Sequence, residues 1–111
     1  MSAVLIKNIE HSKVFDLVNL VDYEKGKVAS LTLAQKPGVG ITILAFDEEE
    51  GVSTHAAPGD AMVVILDGEA LITIEDKEYR LKAGETVVMP ANIPHAVKAI
   101  TKFKMLLTVV K

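Results

Sequence analysis

The chain contains no cysteine, no tryptophan and a single arginine, Arg80. Without cysteine there can be no disulfide scaffold, cysteine-based zinc finger, iron–sulfur cluster or thiol nucleophile. The same absence fits a reducing compartment. With one arginine there is no guanidinium cluster to clamp phosphates. Basic residues number 12 against 15 acidic ones, a net charge of −3, so no positive field draws the chain to nucleic acid. No apolar run approaches the roughly 18 residues of a membrane-spanning helix. The opening Met-Ser-Ala-Val-Leu-Ile-Lys has neither the basic start nor the long apolar stretch of a signal peptide, so the expected location is the cytoplasm. What is present is aliphatic: half of the 111 residues are hydrophobic and only 5% aromatic, enough for one well-cored domain spanning 1–111.

Apolar segments recur every 8–12 residues between Gly, Pro, Asp and Glu, the rhythm of an all-β sandwich or barrel. Eight strands are predicted: 27–35, 39–46, 60–66, 69–75, 77–81, 86–89, 96–99 and 103–109. Asp67-Gly68 reads as a type I′ hairpin turn, Glu75-Asp76 as a weaker turn signal, and Pro37-Gly38 as a turn between two strands. The helical candidate is 12–21, where Phe15, Leu17, Val18 and Val21 form a partial stripe behind a possible Ser12 cap; at most a short helical turn is expected.

Alternation fails in an informative way. The strands 39–46 and 62–66 are apolar on both faces, so both faces must be covered. The cover is expected to be a second copy of the chain or the N-terminal segment 1–25 folding back, and a homodimer is the expected assembly.

Few residues could carry chemistry. Of three histidines, His11 reads as a surface residue, whereas His55 and His95 each stand beside a proline-containing turn. The acidic run Asp47–Glu50 reads as a solvated loop. No nucleophile triad, Gly-rich phosphate loop or carboxylate pair is legible.

The segment from Gly51 through His55 to Gly68, and the segment from Gly84 to His95, resemble the two conserved motifs of the cupins. In order and with 15 residues between Gly68 and Gly84, they imply a cupin-type double-stranded β-helix, or jelly-roll barrel, usually dimeric. The first motif contains His-x-His and a later Glu, and the second contains a His; together these residues hold a metal in the family. By this resemblance His55 and His95 take two ligand positions. The second His of the first motif falls on Ala57, its Glu on Ala61, and a second-motif Gly on Asn92. Asn suits the left-handed backbone that Gly supplies there. Asp60, one residue from Ala61, should face outward, as should Met62. Met62, Met89 and Met105 offer thioethers, which suit copper(I) better than iron.

Parity places His55, Ala57, Ala61, Val63, His95 and Val97 on the barrel interior, with Met105 inward and Lys104 outward. These seven interior residues are the expected ligand pocket, with His55 and His95 able to hold a divalent metal ion weakly. Three readings follow: a small-molecule-binding barrel of unknown ligand without a complete metal centre; a metal-dependent dioxygenase or isomerase using His55 and His95; and a non-catalytic dimeric interaction module.

Overall fold

A computed structural model describes residues 4–111. Nine strands form two antiparallel sheets. β1 (Val28–Lys36), β2 (Val39–Phe46), β4 (Asp60–Asp67), β7 (Thr86–Met89) and β9 (Phe103–Val110) make a five-stranded sheet in the order β1-β2-β9-β4-β7. β3 (Gly51–His55), β5 (Glu69–Ile74), β6 (Lys77–Lys82) and β8 (His95–Ala99) make a four-stranded sheet in the order β3-β8-β5-β6. Among the described residues only Leu17–Asn19 is helical, one 3₁₀ turn within the expected 12–21 segment. No helix among the described residues is long and apolar enough to cross a membrane.

The core lies between the sheets. Phe46, Val63, Ile65, Ile72 and Phe103 are its largest fully buried side chains facing inward. Phe46 and Phe103 are cross-strand partners whose rings stack at 4.4 Å and 7°, an offset contact that adds roughly 0.5–1.5 kcal/mol beyond area burial.

The second face of β2 explains the failed alternation. Ile43 and Ala45 point outward yet are fully buried, because Ile9, Leu17, Leu20, Val21 and Tyr23 lie over them. The N-terminal segment is pinned by backbone and side chain: Lys7 N donates to Leu33 O at 2.8 Å, and Asn8 Nδ2 to Thr32 O at 2.6 Å. Lys104 faces outward as expected, but it is buried beneath this segment. Its Nζ donates to Val18 O at 2.7 Å and lies 4.9 Å from the Tyr23 ring centre. Tyr23 in turn donates to Asp67 Oδ2; burial first, and then the Asp67 carboxylate, push its hydroxyl above the ordinary value.

Three expectations need correction. Among the described residues there are nine strands rather than eight, because Gly51–His55 is a strand. All five of its residues are exposed, so no burial pattern marks it, and it is held by pairing with β8. Asp67-Gly68 does not close a hairpin, since β4 and β5 belong to different sheets. Gly68 (φ +75) instead carries the chain between sheets, and a Cβ there would collide with the Lys102 carbonyl oxygen. Asp47 is not merely part of a solvated run: its carboxylate accepts from Gly26 N at 2.6 Å and faces Lys102 at 3.9 Å. Glu75, at φ 57, does turn β5 into β6 without a glycine, and Pro37-Gly38 joins β1 to β2.

Gly68→Ala should lower stability by about 2–4 kcal/mol, combining left-handed strain with a backbone collision. Gly84→Ala, with positive φ but open space around it, should cost only about 1 kcal/mol. Urea denaturation of both variants tests the difference. The backbone hydrogen bond from Gly26, followed by that from Glu48, lowers the Asp47 pKa. Its stabilisation is therefore complete above the unfolded value of about 3.9 and lost as pH falls through the lower folded value. Asp47→Asn should melt below the wild type at neutral pH, and the gap should close under strongly acidic conditions.

Candidate functional site

The site is set by one register. β3 pairs with β8 so that His55 lies directly opposite His95. Their rings meet edge to face, centres 4.4 Å apart at 69°. His95 is buried, 4% exposed, whereas His55 is exposed and stands at the mouth.

Both imidazoles are oriented alike. His55 Nδ1 bonds Ser53 O at 3.0 Å, and His95 Nδ1 bonds Ile93 O at 3.1 Å. A carbonyl oxygen only accepts, so each Nδ1 carries the hydrogen. In the neutral ring Nε2 is then left as the acceptor.

The loop entering β8 is braced from several directions. Asp60 faces outward and accepts Ala91 N at 2.8 Å. Asn92 adopts φ 64, the left-handed state expected of it, and its N donates to Ala57 O at 2.7 Å. Pro94 O accepts from Glu75 N at 2.8 Å. These bonds fix where His95 begins its strand.

Beside the two rings is a cavity of about 160 Å³. Its wall includes His55, Ala57, Ala61, His95, Val97 and Met105, six of the residues assigned to the pocket from parity. Val63, expected on the wall, is instead fully buried in the core beneath, two residues further along β4 than Ala61, and does not reach the wall. Leu44, Val52, Gly59, Met89, Leu107 and Val109 complete the lining. Leu107 and Val109 share the parity of Met105, so that signal was legible. Met89 enters because β7 pairs with β4 in the register Met89↔Ala61, which sequence spacing alone does not reveal. Met62 is exposed on the outer face, away from the cavity, and His11 is a surface residue bonded to Ile6 O.

The donor set does not fit the family's metal centre. No group of three or more His, Asp or Glu side chains is placed to hold a metal ion among the described residues. Ala57 and Ala61 line the space where the motif calls for further ligands. Asp60 is turned away and engaged by the Ala91 amide. Two imidazoles alone leave a six-coordinate ion dependent on water.

The family model described as "Cupin domain" matches residues 42–111, and the chain belongs to the cupin family. No curated protein matches it. Among solved structures, it is similar to a conserved protein of unknown function from Streptococcus pyogenes, at 50% identity and TM-score 0.95, covering 100% of this chain and 96% of that one. It is also similar to a cupin superfamily protein from Desulfitobacterium hafniense, at 32% identity and TM-score 0.90, covering 95% and 96%. A Cupin 2 conserved barrel domain protein from Leptotrichia buccalis shares 46% identity at TM-score 0.85, over 87% of this chain but 47% of that one.

Supplying the two missing side chains tests the ligand assignment. The Ala57→His, Ala61→Glu double variant should retain near-stoichiometric divalent metal after purification, while the parent chain should not. Elemental analysis by mass spectrometry reads the difference. Equal metal in both proteins would contradict the assignment.

Proposed function

We propose that this cupin binds a small molecule in the cavity beside His55 and His95, without a complete metal centre. The observation that carries the reading is the pair of alanines. Ala57 and Ala61 stand where the family's motif has ligands, and they leave about 160 Å³ of apolar space against two oriented imidazoles. A mostly apolar concavity with a few convergent polar groups is the form ligand sites take. A role in sensing or sequestering a metabolite in the cytoplasm follows most directly. A metal-dependent dioxygenase or isomerase would need a third ligand from outside this donor set.

Filling the space is the test. Ala61→Leu should abolish binding of small fragments that raise the melting temperature of the parent chain, while leaving the circular dichroism spectrum unchanged. Fragments that stabilise both proteins equally would place binding elsewhere and defeat the reading.

A second observation favours self-association. On the outer face of the five-stranded sheet, beyond the N-terminal cover, the cross-strand pair Met62 and Val88 is 40% and 48% exposed, with Val110 at 57% nearby. A second copy of the chain would bury this strip, as closed two-fold dimers commonly do. Sedimentation should then show a dimer that Val88→Glu dissociates; a monomer at all micromolar concentrations would remove the reading.

A further inference from the structure

The wall of the cavity restricts what can occupy it. Among the described residues, the only side-chain heteroatoms lining it are the two imidazoles and the thioethers of Met89 and Met105. Both Nδ1 atoms are committed to backbone carbonyls, so the neutral rings present Nε2 as acceptors and have no hydrogen left to donate. Among the described residues, no lysine, arginine or side-chain amide lines the cavity, so an anion entering it would lose its hydration with no fixed positive charge in return. The volume suits a small occupant: an apolar cavity of about 150 Å³ holds benzene, close to the roughly 160 Å³ here. Two thioethers on the wall also favour an aromatic body, because sulfur packs well against ring edges.

We propose that the occupant is a compact neutral hydrogen-bond donor: an apolar body of about one ring, carrying a hydroxyl that donates to an imidazole Nε2. The proposal rests on the small-molecule reading above and narrows it by chemical class. A donor is required because a ligand lacking one would strip water from Nε2 and leave the acceptor unpaired.

Three probes of similar size separate the possibilities: phenol, toluene and benzoate. They would be titrated by calorimetry in the same buffer. Phenol should bind about tenfold or more tightly than toluene, the factor expected of one hydrogen bond to a buried acceptor. Benzoate should bind more weakly than phenol. In His95→Phe the advantage of phenol over toluene should disappear, and His55→Leu, altering an exposed edge-strand residue, serves should the buried substitution fail to fold.

Toluene binding as tightly as phenol would overturn the class while leaving the cavity reading intact. Benzoate binding more tightly than phenol would do the same in favour of an anion. Failure of all three probes, with other fragments still displaced by Ala61→Leu, would overturn the class alone. Failure of every fragment would sink the class and the small-molecule reading together. Copper(I) held against a bicinchoninate competitor and lost in Met89→Leu would also overturn the proposal, replacing the organic donor with a soft metal.

Discussion

β2 carries apolar side chains on both faces, and the need to bury both organises the rest of the chain. Leu44 and Phe46 face the second sheet, and Phe46 seals the core against Phe103. Ile43 and Ala45 face the other way, and a two-layer sandwich would leave them wet. The N-terminal segment supplies a partial third layer. Its aliphatic contacts provide most of the drive, at roughly 25 cal/mol per Å² removed from water. Its polar ties fix where it lies: Lys7 on Leu33, Asn8 on Thr32, and Val18 on Lys104. A lysine survives under that cover because a carbonyl receives its ammonium group and the Tyr23 ring covers it.

The candidate site lies where this packing runs out. Ile65 and Ile72 fill the space between the sheets, while Ala57 and Ala61 mark a stretch where small side chains leave the sheets unfilled. β3 is an edge strand with every residue exposed, yet its pairing with β8 sets the two imidazoles face to edge. The rigid sheet thus delivers His95 into the interior, and the edge strand brings His55 to it at the mouth. The stacked aromatic pair thus belongs to the filled core, and the histidine pair to the unfilled stretch beside it.

Much of this was legible from residue order because β-strand parity is a strict period of two. The inward set Ala61, Ile65, Ile72, Val97 and Met105 follows from it, as do the outward Asp60 and Met62. Parity says nothing about which strands become neighbours. Asp67-Gly68 has the composition of a hairpin, but its glycine is required by close passage past Lys102 while the chain crosses between sheets. Parity also fails for Gly51–His55, where nothing is buried and only pairing makes the strand. Nor does it report depth, which is why Val63, on the correct face, lies beneath the cavity. Lys104 lies on the predicted face, but its burial depends on a segment some 86 residues distant in sequence.

The alanines also bear on how this barrel differs from a metal-holding relative. A carboxylate placed in an apolar wall is costly unless a cation, a hydrogen-bonding partner or protonation compensates it. Removing the ion alone would leave a buried charge unpaired. Here no buried side-chain nitrogen or oxygen among the described residues lacks a partner, and both remaining imidazoles are held by backbone carbonyls that require no metal. Asp60, the nearest carboxylate in sequence, braces the loop that carries His95. The wall is therefore self-consistent as an apolar pocket with two fixed acceptors, and it is on this that the proposed neutral guest rests.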